Sequence, residues 1–243
     1  MLIINADDFG RDAASTDNAL ECYRKGVVTS VSAMVFMADS KRAAEYAIQT
    51  DIESGLHLNL TMPFDGPKLS ARLMEYHSSI ARYLCLGKWA QVFYNPFLKR
   101  YFSYVFRAQY EEYCCLYGKK PLKIDGHRHM HLCMNMIVNR EIPVGTPVRR
   151  SFTFRPGEKS VHNLLYRRLI DAWINRHFKC LDLFYSIDPV EDEPRLRAIL
   201  SLARSFNVEL MVHPASAKQY ALLMSGVFNA MIRDLQLGSF QTM

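Results

Sequence analysis

Residues 181–212 read LDLFYSIDPVEDEPRLRAILSLARSFNVELMV. Leu181–Ile187 is an apolar, aromatic-rich run of strand length. Glu193-Pro194 opens a helix, with proline in the first turn where its missing N–H is no loss, and Asn207 closes it. Val208–Val212 then reads as a second, buried strand. Strand, helix and strand in roughly thirty residues make a βαβ unit, the connection that parallel strands require.

The same alternation extends through most of the chain. Leu2–Asn5 is a short apolar strand, and Asp12 caps a helix through Leu20 to Lys25 that Gly26 ends. Val28–Phe36 is rich in β-branched residues, and Asp39 or Ser40 starts the next helix. In Gly55–Leu60, Leu56, Leu58 and Leu60 share one face while His57 and Asn59 take the other. Leu122–Asp125 is strand-like and Val148–Phe154 is a weaker strand candidate. A last helix is expected over Lys218–Leu235, followed by a short strand, Ser239–Thr242. Seven or eight such units in 243 residues predict an α/β fold, a distorted (β/α) TIM-like barrel with mainly parallel strands in a single domain. No Gly-rich phosphate loop follows the first strand, which removes the usual evidence for a nucleotide-binding doubly wound sheet.

Residues 72–117 interrupt the pattern. Their thirteen aromatic residues are interleaved with arginine and lysine, and the stretch is expected to be a helical insertion packed on the barrel. Asn95-Pro96 starts its long helix and Gly118 ends it. A lid or an apolar surface patch is the other reading of the same residues.

Hydrophobic residues make up 49% of the chain and charged residues 22%, enough for an ordinary core. No window approaches the roughly 18–20 unbroken apolar residues of a membrane span, and the N-terminus runs straight into two aspartates without a basic leader. A cytoplasmic protein is expected. Six cysteines lack zinc-finger or redox spacing and read as reduced thiols. The net charge is +6, and residues 140–180 hold nine Lys/Arg against three acids, so the rest of the chain sums to zero. Such a segment is either a solvated helix face or a site for phosphate or anionic headgroups, to which Arg149-Arg150 and Arg167-Arg168 are suited.

Four clusters carry residues fit for chemistry: Asp7-Asp8, His57, the run Asp125-Gly126-His127-Arg128-His129-Met130-His131, and His213-Pro214. Each lies within or just after an expected strand, and C-terminal strand ends of a parallel barrel converge on one face. A carboxylate with two imidazoles suits a divalent ion and leaves positions open for water and substrate. A second carboxylate can take a proton and a histidine opposite can protonate a leaving amine. Plainer readings exist. Adjacent aspartates often cap turns, and a lone strand histidine is more often a core residue. Three histidines at alternate positions share a face of an extended chain, and burying them without a role is costly. His162 is a weak signal, and His77 and His177 read as surface residues.

These residues resemble the YdjC/ChbG-type carbohydrate deacetylases over nearly the whole chain. The matching segments are Asn5–Gly10 (NADDFG), Val28-Thr29-Ser30-Val31, Gly55–Thr61 (GLHLNLT), Pro67–Ser70, Asp125–His131 and Glu209–Pro214 (ELMVHP). Gly126 stands where the family has serine, and Ala215-Ser216 where it has glycine. The resemblance implies a distorted barrel, one divalent metal ion (Mg2+ or Zn2+), and removal of acetate from N-acetylated sugars such as chitooligosaccharides. Carried over by position, Asp8, His57 and His127 are the metal ligands, Asp7 the base and His213 the acid. The expected partner is an N-acetylated sugar, free or carried on a lipid or diphosphate, with a homodimer and a peripheral contact with an anionic membrane as further expectations. A non-haem Fe(II) enzyme and a non-enzymatic basic binding module are the competing classes. No nucleic acid is expected, since no nucleic-acid-binding motif is present.

Overall fold

Six strands, β1 (Leu2–Phe9), β2 (Ser30–Ala33), β3 (Glu53–Leu58), β4 (Ile124–Gly126), β5 (Leu183–Ser186) and β6 (Val208–Val212), lie parallel in the order β4-β3-β2-β1-β6-β5. This is seen in a computed structural model that describes residues 1–154 and 158–242. Among the described residues ten helices accompany them: α1 (Ala13–Arg24), α2 (Ser40–Thr50), α3 (Ala71–Leu84), α4 (Lys88–Val92), α5 (Lys99–Tyr117), α6 (Met134–Asn139), α7 (Val161–His177), α8 (Glu193–Leu202), α9 (Ala217–Leu223) and α10 (Gly226–Ile232).

The curled sheet comes close to closing. Between its edges, β4 and β5, runs an extended segment that bonds to both sides. Arg149 N–H donates to the Ile124 carbonyl, and Thr153 N–H donates to that of Phe184. This is the weak strand candidate Val148–Phe154, held by isolated bridges instead of a full ladder. The result is the distorted α/β barrel that the sequence pattern predicts, with six strands in its sheet where seven or eight units were expected.

The two faces of the sheet differ in chemistry. Leu2, Ile4, Ala6, Val31, Ala33, Leu56, Leu58, Ile124, Val208, Leu210 and Val212 are buried in the main apolar core under the helices. The concave face carries Asn5, Asp7, Ser30, Ser32, His57, Lys123, Asp125 and Glu209, all buried. A small apolar plug of Ile3, Leu181 and Phe240 sits apart from the main core. Gly55 shows how tight the polar interior is. A Cβ there would lie 2.4 Å from Lys123 Cγ and 2.7 Å from its carbonyl oxygen, so only glycine lets the lysine cross the sheet.

Several local expectations change. Ser239–Thr242 is not a strand; Phe240–Thr242 forms a 3-10 turn, with Phe240 N–H donating to Glu53 Oε2. The last helix is broken at Ser225, whose hydroxyl caps α10 by accepting from Phe228 N–H. His77, expected on the surface, is buried in α3 with its ring 4.0 Å from that of Phe64. Residues 72–117 form α3, α4, a 3-10 turn at Pro96–Leu98, and α5. Phe102, Val105, Phe106, Tyr113 and Tyr117 of α5 are buried, whereas Leu86, Trp89, Phe93 and Phe97 are exposed. Arg155, one of the residues in the basic segment, lies outside the described residues.

Candidate metal centre

Consecutive residues of a strand point to opposite faces, so Asp7 and Asp8 should not meet at one place. They do because β1 is irregular there. Its register with β2 shifts between Ala6 and Phe9, and Asp8 takes a left-handed backbone, φ 64°. For a non-glycine residue that conformation is costly, and it turns the Asp8 carboxylate back toward the Asp7 side. His57 Nε2 consequently lies 3.3 Å from Asp8 Oδ1 and 3.9 Å from Asp7 Oδ2.

The third contributor comes from the end of β4. His127 Nδ1 is 3.0 Å from Asp8 Oδ1, and its ring meets that of His57 edge-on at 5.8 Å. The histidine run is not extended as expected. Arg128 and His129 are left-handed, φ 53° and 60°, within a 3-10 turn over His127–Leu132, so the three imidazoles separate. His129 packs edge-on to Phe152 at 4.3 Å, and His131 Nε2 bonds to the Arg149 carbonyl at 2.9 Å. Burial depresses both basicities, that of His131 to about 4 and that of His129 well below the usual range, so both are neutral.

Asp8, His57 and His127 each bring one ligand atom, all within 4.8 Å of one another, and His127 is the member in contact with solvent. A second group, Asp7, His57 and Asp125, is equally close but wholly buried. In that group the carboxylates are already engaged. Arg149 grips Asp7 with two 2.7 Å bonds, and Asn5 Nδ2 donates to the same carboxylate at 2.7 Å. Asp125 accepts from Lys123 Nζ at 2.6 Å and from the Ser32 hydroxyl at 2.7 Å, while its other oxygen lies 2.7 Å from His57 Nδ1. That last bond holds His57 with Nε2 aimed at Asp8, the usual way an outer carboxylate orients a metal-binding imidazole. The donor set of one carboxylate oxygen and two imidazole nitrogens, open on the His127 side, fits a divalent ion at the first group. Arg11 pairs with the remaining oxygen of Asp8.

The electrostatics follow from this packing. Burial alone would raise Asp7, yet the Arg149 guanidinium outweighs it and holds the carboxyl at about 2. Asp8 is held well below the carboxylate range, because hydrogen bonds from His127 and His57 overcome the cost of its burial. Burial opposes a charge on His57, but the carboxylates of Asp7 and Asp125 raise it to about 10. Arg149 also bonds Glu209 Oε1 at 2.7 Å, and Lys123 reaches the same oxygen at 2.8 Å. Arg149 is therefore an internal residue and no free phosphate ligand. Arg150, which pairs with Asp171 at 2.9 Å, is not free either.

His213 stands just past β6. Val212 pairs with Ala6, the last pair in register between β6 and β1, so His213 follows at the same end of the sheet as Asp7. Its N–H donates to Gln219 Oε1 at 2.6 Å, which fixes the turn into α9. The imidazole is half-buried and forms no ion pair with either aspartate among the described residues. A cleft of about 420 Å³ adjoins the turn that carries His127, lined by Arg128, His129, Phe152, Tyr166 and Arg167 among others.

The charge network of Lys123, Arg149 and Glu209 had not been foreseen. The signal was present: Lys123 and Glu209 sit within otherwise apolar strand segments, where a charge survives only if paired. A sequence model of the YdjC-like proteins matches residues 1–236. The chain belongs to the YdjC-like protein family. Among relatives named chitooligosaccharide deacetylase, that of Proteus mirabilis is 34% identical over 137 residues, covering 54% of this chain and 50% of its own length. That of Klebsiella pneumoniae is 33% identical over 135 residues, with 54% and 50% covered. The chain thus spans about half the length of the curated relatives it matches. A crystal structure from Enterococcus faecalis V583, described provisionally as a cellobiose-phosphate cleavage protein, superposes with a TM-score of 0.68 at 21% identity. It covers 99% of this chain and 97% of its own, and that likeness concerns the fold alone.

Proposed function

We propose that this YdjC-like protein is a metal-dependent N-deacetylase of an amino sugar. The observation that carries the reading is the convergence of Asp8 Oδ1, His57 Nε2 and His127 Nδ1 beside a second, tethered carboxylate, Asp7. The relatives named for deacetylation of chitooligosaccharides support the substrate class.

In this reading Asp8, His57 and His127 hold one divalent ion, and two imidazoles favour a borderline ion such as Zn2+ over Mg2+. A divalent ion held there would supply Lewis acidity to the acetyl carbonyl and would lower the pKa of a water toward ~7. Asp7, kept ionised and oriented by Arg149 and Asn5, accepts a proton from the attacking water. As the C–N bond breaks, the amine leaves with a proton from His213, yielding acetate and the free amino sugar. The cleft beside His129 receives the rest of the glycan, with Phe152 and Tyr166 offering ring faces to sugar C–H groups.

The test is acetate release from a panel of N-acetylated glycans. Turnover that EDTA abolishes and a divalent ion restores, with an alkaline limb of the kcat/KM profile that disappears in His213→Asn, is the expected outcome. Turnover indifferent to EDTA, or absent across the panel, overturns the reading.

A further inference from the structure

The cleft beside the metal centre opens between α4 and α7, since Gln91 and Val92 line one side and Asn163, Tyr166 and Arg167 the other. Both rims end in apolar side chains that the fold leaves in water. On the α4 side these are Leu86, Trp89 (73% exposed), Phe93 and Phe97 (90% exposed), with the rings of Trp89 and Phe93 stacked at 5.9 Å. On the α7 side Val161, Leu165 and Leu169 are exposed and spaced four residues apart, which makes one stripe of the helix. The rest of the same segments shows that this is not ordinary surface composition. The buried side of α7 carries Ile170 and Ile174, and that of α5 carries Phe102, Val105 and Phe106, so the core already has its aromatics and aliphatics.

The charges on these rims are all of one sign. Residues 76–110 contain five Lys/Arg and no acid, and residues 159–170 contain three and no acid. Lys159, Arg167 and Arg168 form no ion pair among the described residues. Lys159 and Arg167 instead lie against the ring of Phe154, at 5.1 and 4.8 Å from its centre. Burial lowers the Arg167 pKa, which marks a cation still short of compensation. Exposed tryptophan and phenylalanine among uncompensated cations are the complement of an anionic bilayer surface, where rings sit at headgroup depth and the cations meet phosphate. A face made to pair with another copy would carry its own acids opposite these cations, and these segments have none.

We infer that the α4–α7 rim docks on an anionic lipid bilayer, so that the cleft mouth faces the headgroup layer. This inference rests on the deacetylase reading only for its consequence, that the acetylated sugar is carried on a lipid. Docking itself is independent of turnover. No helix among the described residues is long and apolar enough to cross a membrane, so the contact is peripheral.

The experiment is cosedimentation of the purified full chain with vesicles of phosphatidylcholine alone, or with roughly one third phosphatidylglycerol, at low and high salt. The expected result is retention on the anionic vesicles, weakened by salt, with a blue shift of Trp89 emission. Trp89→Ser/Phe97→Ser and Leu165→Ser/Leu169→Ser should each weaken retention about tenfold. Their melting temperatures should hold, because these side chains are exposed. A protein that stays in the supernatant with every vesicle overturns the inference. So does a dimer that the same substitutions dissociate in the absence of vesicle binding, since a second copy then covers the face. Vesicle binding by a chain that deacetylates nothing leaves the docking surface standing and sinks the deacetylase reading. Trp89→Ser/Phe97→Ser should leave hydrolysis of a soluble N-acetyl sugar unchanged and slow that of a vesicle-borne N-acetyl glycolipid.

Discussion

Replacing Arg149 by methionine should cost more stability than any other single change inside the barrel. Arg149 is completely buried among Asp7, Asp125 and Glu209, with contacts of 2.7, 2.9 and 2.7 Å. Methionine fills similar space and leaves the three carboxylates with only Lys123 and the His57 imidazole as partners. Removing one partner of a buried ion pair costs about 3–5 kcal/mol, because the remaining charge loses its compensation. Asp7 gives an independent figure. Its pKa falls from 3.8 to about 2, a net shift that Arg149 and His57 hold against burial and that corresponds to roughly 2–3 kcal/mol. The two agree in scale, the second counting only one of the three carboxylates. For a chain of this length each kcal/mol moves the melting temperature by roughly 2–4 °C, so Arg149→Met should melt roughly 6–20 °C lower at neutral pH. The pH dependence fixes the cause. A carboxylate whose folded pKa is depressed contributes its stability above the unfolded value, 3.8, and loses it as the pH falls through about 2. The gap between wild type and variant should therefore narrow below pH ~4, as the carboxylates protonate in both proteins. Circular dichroism melts from pH 7 to pH 2 read both quantities. A variant that melts within ~2 °C of wild type at pH 7, or a gap that widens on acidification, would refute the reasoning.

His57→Ala and His127→Ala should each strip the divalent ion from the purified protein, as measured by elemental analysis; full metal content in either variant removes that residue from the ligand set. Asp125→Asn should keep the ion but bind it about 10–100-fold more weakly, read by competition with a chelator, because the carboxylate that orients His57 is lost. His77, buried and held neutral with its pKa down to about 4, favours the folded state fully above pH 6.5 and less as the pH falls toward 4. His77→Phe should flatten the urea stability of the protein across that window, and an unchanged slope would mean that His77 charges without unfolding.

The barrel was legible because its outer strand faces repeat with period two and its helices are punctuated by caps, as at Asp12 and Glu193-Pro194. The positions of Asp7-Asp8, His57, His127 and His213 at strand ends followed from the same phasing. Pattern reading fails where the backbone leaves regular geometry. Left-handed Arg128 and His129 send three apparently equivalent histidines to three environments, and only His127 reaches the cluster. Left-handed Asp8 brings neighbouring carboxylates to one side, which no strand periodicity anticipates. Arg149 looked like a surface cation because it belongs to a basic run, although its neighbour relations are set by strands far away in sequence. Residue counts give the charge of a segment, and burial decides which of those charges face water.

The polar interior also sets a condition of electroneutrality. Around the cluster, the four carboxylates of Asp7, Asp8, Asp125 and Glu209 face the two permanent cations Lys123 and Arg149, while Arg11 is shared between Asp8 and Asp12 at the rim. Counted against Lys123 and Arg149 alone, two negative charges remain, and Arg11 meets part of that excess at the rim. A divalent ion held there, as proposed, would offset that excess. A proton on His57 meets part of the same excess. In the proposed reading a proton on His57 and the divalent ion would compete for the same excess of negative charge, so loading the site should acidify an unbuffered solution.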